Sequence, residues 1–239
     1  MPNGWMVGRF APLSAIPSIV HAVTTRQGLD VNLAKNNPHQ AAPQVATAMG
    51  LASVAYCKQV HAGKVLAVDK GGFAGEVDAL AANTPSLGLM CFSADCPLIL
   101  AADAAGTAIG IAHASWRGTA AGIAMSLVEL LTGQFSARAK DLVACICPSA
   151  GPCCYEVGTD VLDALGSVMR HADRFFIRRD GKMFMDLWAA NRQQLLDCGL
   201  ARKNIHAAGL CTICRNDILP SYRLEGANAG RFVAVIGRR

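Results

Sequence analysis

The sequence contains few charged residues and no long uninterrupted apolar run, and each shortage excludes a class of protein. Charged residues make up 16% of the 239 residues, whereas hydrophobic residues make up 52%. This balance supplies a large core and argues against an intrinsically disordered chain. The most apolar stretch, residues 87–102, is interrupted by Asp95 and Pro97. It falls short of the roughly 18 apolar residues that a membrane helix needs, so we predict no membrane association.

The sequence also lacks the marks of nucleic-acid-binding and secreted proteins. The net charge is +5, but the basic residues are scattered and form no run, so we predict no nucleic-acid partner. Residues 1–19 contain Arg9, Pro12 and Pro17 and lack the clean apolar stretch of a secretory signal. We therefore expect a cytoplasmic protein. Because no repeat, low-complexity segment or linker is present, we predict a single domain over residues 1–239.

Short apolar runs bounded by turn residues predict a set of strands. These runs are residues 20–25, 54–59, 64–69, 88–92, 98–102, 108–112, 142–146, 205–210 and 232–236. Amphipathic or apolar periodicity predicts helices over 119–131, 157–169 and 187–198, and residues 174–186 predict a hairpin across Asp180-Gly181. The alanines of residues 79–82 indicate tight packing between elements. Strands and helices are interleaved without strict alternation, which favours an α+β fold with mixed sheets.

One cysteine and two histidines are the strongest candidates for chemistry. His61 follows one strand-like run, Cys96 lies between two others, and His113 ends a further one. Two imidazoles and a thiolate can hold a zinc ion while its fourth position stays open to water. An open position indicates catalysis rather than a structural role. Asp95, beside Cys96, could orient a ligating imidazole through a hydrogen bond.

The same three residues allow two other interpretations. Two histidines and one cysteine also form the blue-copper ligand set, so copper is a less favoured alternative to zinc. Oxidases that use several coppers need many more histidines than the six in this chain. Alternatively, Cys96 is a nucleophile, His113 its general base, and Asp95 the group that orients the histidine. Metal binding and thiol nucleophilicity require the same residues, so both interpretations stay open.

Anion-binding and acidic residues lie near these candidates in the sequence. Arg26 follows a predicted strand, Arg117 follows His113, and Arg223 follows Ser-Tyr, which makes the three arginines candidates for a phosphate or carboxylate clamp. Tyr155 and Glu156 lie in a glycine-flanked loop that enters a predicted helix, where an anion can bind.

The remaining cysteines suggest mainly structural roles. Cys91, Cys145 and Cys147 lie in apolar runs and are predicted to be small core residues. Cys211 and Cys214 form a CxxC motif, but a structural zinc would need a second pair, and adjacent Cys153-Cys154 has poor ligand spacing. The favoured interpretation is therefore that these are buried free thiols.

Several motifs together resemble the YfiH family, which carries the label "polyphenol oxidoreductase laccase". They occur in family order: Gln59-Val60-His61, Asp78-Ala79-Leu80, Ala94-Asp95-Cys96-Pro97, His113-Ala114-Ser115-Trp116-Arg117-Gly118, Gly151-Pro152-Cys153-Cys154-Tyr155-Glu156-Val157-Gly158, Cys211-Thr212, Ser221-Tyr222-Arg223 and Gly230-Arg231. The resemblance spans about residues 20 to 237. It implies a single α/β/β/α domain related to bacterial toxin deamidases of the Cys-His type.

The resemblance implies an enzyme with His61, Cys96 and His113 as zinc ligands. The implied reactions are phosphorolysis of adenosine, inosine and methylthioadenosine, and deamination of adenosine. The partners would be a nucleoside and phosphate, and the protein would be a monomer or a homodimer. We predict Cys96, Asp95 and Glu156 as catalytic residues, with Asp95 or Glu156 transferring the proton. Substrate or phosphate is predicted to contact a further set: Arg26, Asn32, Gln59, Arg117, Tyr155 and Arg223.

Two alternatives to the phosphorylase stay open. Some bacterial relatives are linked to editing of UDP-muramic acid compounds in the cytoplasm, which would make this protein an amide hydrolase that uses zinc-bound water or Cys-His chemistry. The other is a non-catalytic metal-binding protein. The sequence also departs from the family at two places, with Ser115 where glycine is usual and a shortened loop over residues 26–33. We expect these departures to affect substrate preference more than metal binding.

Overall fold

The computed structural model describes residues 4–239, and two six-stranded mixed sheets form the centre of this region. The first sheet has the order β1-β2-β14-β7-β3-β5, and the second has the order β13-β10-β8-β9-β6-β4. A separate hairpin pairs β11 with β12. The strands are β1 Val7–Gly8, β2 Ile19–Thr24, β3 Ser53–Lys58, β4 Val65–Ala67, β5 Gly72–Glu76, β6 Ala79–Ala82, β7 Leu87–Ser93, β8 Leu98–Asp103, β9 Ile109–His113, β10 Leu142–Ile146, β11 Phe176–Arg179, β12 Lys182–Met185, β13 Ile205–Ala207 and β14 Phe232–Arg238.

Helices cover the outer faces of both sheets, which produces four layers. The apolar side chains between the sheets come from both of them, including Leu89 and Phe232 from the first and Leu100 and Ile111 from the second. The helices are α1 Ala11–Ser14, α2 Val31–Asn36, α3 Pro38–Met49, α4 Trp116–Ala120, α5 Ile123–Phe135, α6 Thr159–Gly166, α7 Leu187–Asp197 and α8 Tyr222–Glu225. Helix α3 packs on the outer face of the first sheet, and α5 and α7 pack on that of the second.

This architecture confirms the predicted α+β class and the α/β/β/α layering. The predicted hairpin is also confirmed, with Asp180-Gly181 between β11 and β12. The first three residues of the predicted 1–239 domain lie outside the described residues. Within residues 4–239, no helix combines the length and the hydropathy required to cross a bilayer.

Three sequence predictions about secondary structure need correction, and one helix was not predicted. Residues 38–49 form helix α3, although Pro43 inside it and its small residues hide the helical pattern. Residues 79–82 are not a packed connection but β6, which is completely buried between β9 and β4. The predicted helix 119–131 is two helices, because Gly122 adopts a left-handed conformation between α4 and α5. The predicted helix 157–169 is shorter and ends at Gly166.

The link between β7 and β8 determines where the candidate residues come together. Strand β7 belongs to the first sheet and β8 to the second, so residues 94–97 carry the chain from one sheet to the other. Strand β3 ends near this link on the first sheet, and β9 ends beside it on the second, where Leu98 pairs with His113. Three chain segments with polar residues therefore meet at one end of the two sheets.

Candidate metal centre

His61, Cys96 and His113 meet at this end of the sheets. Their ligand atoms, one from each side chain, all lie within 4.8 Å of one another. The imidazole rings of His61 and His113 meet edge to face, with centroids 4.7 Å apart. His61 comes from the loop after β3, Cys96 from the link between the sheets, and His113 from the last position of β9. Residues far apart in sequence thus form one compact donor set.

Asp78 holds two of these segments in place. Its carboxylate accepts hydrogen bonds from four consecutive backbone N–H groups, those of residues 60–63, at 2.7 to 3.1 Å. One carboxylate oxygen also lies 3.6 Å from Nδ1 of His113. The buried Asp78 therefore fixes the loop that carries His61, whose φ of +58° is unusual for a residue other than glycine. With Nδ1 facing Asp78, the other ring nitrogen of His113 is left for the donor set.

The electrostatic environment differs between the two histidines of the cluster. Burial opposes protonation of His113, but Cys96 and Asp78 outweigh it and raise the pKa of His113 to about 9. Burial alone would raise the pKa of Asp78, yet the neighbouring His113 and the hydrogen bonds from the loop N–H groups lower that pKa to about 2. Burial, followed by the nearby His113, lowers the pKa of His61. The buried carboxylate of Asp78 is therefore ionised at neutral pH and lies beside the three donors.

The donor set fits a divalent metal ion of the zinc type. Zinc takes imidazole nitrogen at about 2.0 to 2.1 Å and thiolate sulfur at about 2.3 Å, so the atoms of one coordination sphere lie within a few ångströms of one another. The spacing of the three side chains satisfies this condition. Nδ1 of His113 is buried and makes no hydrogen bond within the described residues. The nearest carboxylate oxygen of Asp78 lies 3.6 Å away, just beyond hydrogen-bond distance.

A cavity of about 770 Å³ opens directly over this cluster. Its volume is large enough for a drug-sized or nucleoside-sized molecule. Aromatic side chains form much of its wall and can stack on a planar ring. They are Tyr56, Phe73, Phe92, Trp116, Tyr155 and Tyr222. The cavity thus combines a metal-ligand set with an apolar surface.

Three arginines also line the cavity. Arg117 stacks on Trp116, with its guanidinium 4.1 Å from the ring centroid. Arg223 lies 4.9 Å from the Tyr155 ring centroid and donates to the carbonyl of residue 156. Arg231 donates to the carbonyls of residues 229 and 230. Guanidinium groups held in this way suit an anion such as phosphate.

Two predicted residues reach the cavity with their polar groups already engaged. Asp95 accepts hydrogen bonds from the Thr212 and Ser221 hydroxyls and from the backbone N–H of Arg223, at 2.6, 3.1 and 2.7 Å. The amide of Gln59 makes paired hydrogen bonds with the backbone of Phe92, both at 2.8 Å. These side chains therefore position the segments beside Cys96 and His61. Asp95 orients the loop that carries Arg223 rather than a histidine ring.

Tyr155 is the predicted residue that brings a hydroxyl to the cavity wall. Burial, and then the nearby Cys96, raise the pKa of Tyr155 to about 12. The phenol therefore stays protonated at neutral pH and can donate a hydrogen bond.

Three predicted residues lie outside the cavity lining. The guanidinium of Arg26 is bound by Glu225 at 2.5 Å and by the carbonyl of Asn216. Glu156 pairs with Lys182 at 2.9 Å on the surface. Asn32 lies in the first turn of α2. Arg26 was suggested because it follows a predicted strand, and Glu156 because it lies in a glycine-flanked loop, but both side chains are engaged in ion pairs.

The two departures from the family pattern have local explanations. Ser115 caps α4, because its hydroxyl accepts a hydrogen bond from the N–H of Gly118 at 3.1 Å. Its φ is −56°, so the position does not require glycine. In the short loop, Asp30 caps α2 by accepting from the N–H groups of Asn32 and Leu33. No residue from 26 to 33 is in the described lining of the cavity.

Sequence reasoning missed the roles of Asp78, Arg231 and Tyr222. Each belongs to a quoted family motif, which is the signal that could have identified them. Asp78 precedes an alanine-rich strand, and nothing local shows that its carboxylate would turn back onto a loop fifteen or more residues earlier. The contact depends on the pairing of β4 with β6, which only the assembled sheet provides.

Comparisons with known proteins identify relatives of the chain. Residues 25–239 match the model of a family described as multi-copper polyphenol oxidoreductase laccase. The chain is 36% identical over 196 residues to "Purine nucleoside phosphorylase YlmD" of Geobacillus stearothermophilus, covering 77% of this chain and 71% of that protein. It is 31% identical over 182 residues to "Purine nucleoside phosphorylase YfiH" of Escherichia coli K12, covering 76% and 72%. The crystal structure of YlmD from G. stearothermophilus superposes with a TM-score of 0.88 at 28% identity, covering 99% and 96%.

Proposed function

The chain belongs to the polyphenol oxidoreductase laccase family, and we propose that within it the protein is a zinc-dependent purine nucleoside phosphorylase. The observation that carries this proposal is the cavity, which combines a three-donor metal cluster, aromatic walls and three arginines. A nucleoside needs a stacking surface for its base, and phosphorolysis needs a cationic place for phosphate. The names of the relatives support the same reaction.

Oxidase chemistry with several coppers fits the residues poorly. The chain has six histidines, and two of them, His61 and His113, belong to the cluster. An oxidase with several coppers requires many more imidazole ligands than these. The family description therefore does not by itself assign an oxidation reaction to this cavity.

In the proposed reaction the arginines hold phosphate, and aromatic side chains hold the purine. Phosphate attacks the anomeric carbon of the ribose while the bond to the purine nitrogen breaks, and the transition state has oxocarbenium character. Arg117, Arg223 and Arg231 offset the charge of phosphate and orient it for attack. The leaving purine would take up a proton from water as the glycosidic bond breaks, and the hydroxyl of Tyr155, which lines the cavity, would donate a hydrogen bond to it.

The metal would be held by His61, Cys96 and His113. When bound, zinc supplies a Lewis acid and lowers the pKa of a bound water molecule toward neutrality. Asp78 fixes the His61 loop and the orientation of His113, and Asp95 fixes the wall that carries Arg223. Deamination of adenosine belongs to the same proposal, since it needs activated water over the same purine-binding wall.

Product analysis with adenosine tests the proposal directly. Purified, zinc-loaded protein is incubated with adenosine in the presence and absence of phosphate. We expect adenine and ribose 1-phosphate only when phosphate is present, and inosine in both samples. The Cys96→Ala variant should lose both reactions. The Cys198→Ser variant is the matched control, because Cys198 lies at the end of α7 outside the cavity lining and should keep full activity.

The amide-hydrolase interpretation predicts a different result. Cys96 lies beside His113, an arrangement that a thiol nucleophile would also use. Absence of both adenine and inosine from zinc-loaded protein would contradict the nucleoside proposal. Turnover of a UDP-muramyl amide without phosphate would then support the hydrolase.

A further inference from the structure

Four cysteines that could hold a metal ion lie together outside the cavity lining, next in sequence to Tyr155 of its wall. Cys153, Cys154, Cys211 and Cys214 come from two separate loops, and their sulfur atoms all lie within 4.8 Å of one another. We call these four residues the cysteine cluster. The sulfur of Cys214 is 3.6 Å from that of Cys153 and 3.4 Å from that of Cys154. The expectation of buried free thiols is wrong for Cys153 and Cys214, which are exposed.

The local backbone explains how adjacent cysteines can share one centre. Residues 151–155 form a tight turn, in which the N–H groups of Cys154 and Tyr155 donate to the carbonyl of Gly151 at 2.9 and 2.8 Å. The turn presses against the CxxC loop, since a side chain on Gly151 would meet Cys211 at 3.2 Å and Trp188 at 2.6 Å. Sequence spacing alone argued against a second pair of ligands, but this turn brings both thiols to the same side.

The CxxC loop is arranged around the sulfur of Cys211. The N–H of Gly151 donates to this sulfur at 3.3 Å. Hydrogen bonds of this kind stabilise a thiolate, which is the form that binds a metal ion. The guanidinium of Arg179 adds positive charge by donating to the carbonyl of Cys153 at 2.8 Å.

The spacing of the sulfur atoms fits one tetrahedral ion. With zinc–sulfur bonds of about 2.3 Å, the sulfur atoms of a tetrahedral site lie about 3.8 Å apart. The distances of 3.4 and 3.6 Å are close to this value. A disulfide would require about 2.05 Å instead. Four thiolates with no open position are the donor set of a structural zinc site.

We propose that the cysteine cluster is a second, structural zinc site, separate from the three-donor centre in the cavity. Binding would replace the protons of four thiols by one zinc ion. The ion would join the loop that carries Tyr155 to the loop that carries Thr212, whose hydroxyl donates to Asp95. The site would thereby fix the cavity wall next to Cys96. This role is independent of the nucleoside chemistry.

Metal content of single variants tests the proposal without any activity measurement. Protein produced with zinc and freed of loosely bound metal should contain about two zinc ions per chain. Cys214→Ser should contain about one, and so should Cys96→Ala, which leaves the cysteine cluster intact. The double variant should contain none, and Cys198→Ser should keep two. A wild-type value of one that Cys214→Ser leaves unchanged would overturn the proposal.

Cobalt spectra and thiol counts cover the remaining outcomes. Cobalt bound to Cys96→Ala should give the strong thiolate-to-metal absorption of a four-sulfur site, and this band should be absent when Cys214 is also replaced. Iron in place of zinc would contradict the assignment of the ion. A disulfide would also contradict it, and would appear as eight rather than ten reactive thiols in denatured protein purified without oxidant. If Cys214→Ser does not fold, the zinc content of Cys96→Ala decides, because this variant keeps all four cysteines of the cluster: one zinc ion per chain supports the proposal, and none overturns it.

Discussion

At the scale of single residues, the candidate centre depends on two buried carboxylates that hold its loops in place. Asp78 accepts four backbone N–H groups and faces His113, and Asp95 accepts three donors from the loops behind the cavity. Through these hydrogen bonds, each buried carboxylate fixes the position of a chain segment next to the donor cluster. Polar groups that are satisfied in this way hold a site within a fraction of an ångström of its working geometry.

Replacing Asp78 by Asn should weaken zinc binding at the cavity by about 10-fold to 100-fold. An asparagine side chain has one oxygen that accepts hydrogen bonds and an NH2 group that only donates them. It cannot accept from all four N–H groups, so the His61 loop would shift. A competition titration with a chelator, performed in the Cys214→Ser background, measures this affinity. Asp103→Asn is the matched control, because Asp103 also accepts backbone N–H groups, at residues 107 and 108, but lies outside the cavity lining. Equal zinc affinity in both variants would contradict the role of Asp78.

Replacing Arg117 by Ala should raise the KM for phosphate by about tenfold, because a charge-assisted hydrogen bond contributes about 1.5 kcal/mol or more. The Arg117 guanidinium stacks on Trp116 and makes no hydrogen bond to another residue of the described region, so its donors remain available to a ligand. Initial rates at varied phosphate measure the effect. Arg138→Ala, which removes an exposed arginine paired with Asp141, should leave the KM unchanged. An unchanged KM in Arg117→Ala would remove this residue from the phosphate site.

At the scale of elements, the strands after residue 80 were predictable and the first helices were not. Strands β7 to β10 are apolar runs of strand length, and their periodicity and turn residues give nearly correct bounds. Helix α3 packs alanines against the first sheet, with a proline in its interior, so neither its hydrophobicity nor its propensity is typical of a helix. Strand β6 is an alanine-rich segment, and it forms a strand because it pairs with β9 on one side and β4 on the other.

That His61, Cys96 and His113 come together was predictable from the sequence, whereas the groups that hold them in place were not. His61, Cys96 and His113 stand out because they are chemically distinctive and lie at the ends of apolar runs. The cysteine cluster was missed because the tight turn at residues 151–155, rather than regular spacing, aligns its thiols. Arg26 was misleading, since its pairing with Glu225 depends on two segments that are distant in sequence.

Helix α4, which follows His113, provides a test at the scale of an element. Ser115→Ala should lower stability by about 1 kcal/mol, because the cap of α4 is lost, whereas Ser115→Gly should cost only a few tenths of a kcal/mol. For a chain of this size, the alanine variant should unfold about 2 to 4 °C lower. Thermal unfolding of the zinc-free proteins measures both changes. A larger loss for glycine than for alanine would contradict a capping role.

At the scale of the whole molecule, one buried histidine away from the cavity makes stability depend on pH. His21 lies in β2, where Nε2 accepts a hydrogen bond from the N–H of Phe10 at 2.7 Å. Burial, followed by the charge of Arg9, lowers the pKa of His21 from 6.5 to about 4. The unfolded chain therefore takes up a proton near pH 6.5, while the folded chain does not until about pH 4. Stability from this group is present above pH 6.5 and is lost as the pH falls toward 4.

Between pH 7 and pH 5, His21 should reduce the free energy of unfolding by about 2 kcal/mol. His21→Gln keeps an acceptor for the Phe10 N–H but cannot be protonated, so its stability should fall less over the same range. Urea unfolding of zinc-free protein at both pH values gives the difference, and groups common to both proteins cancel. Parallel pH dependence in the two proteins would contradict the assignment.

The position of the metal ligands on both sheets also has a consequence for the lifetime of the folded state. His61 follows a strand of the first sheet, His113 ends a strand of the second, and Cys96 lies on the link between them. Such a donor set can assemble only after the two sheets have docked. An ion bound there stabilises only states in which the sheets are docked, so we expect it to slow unfolding and to lengthen the lifetime of the native state.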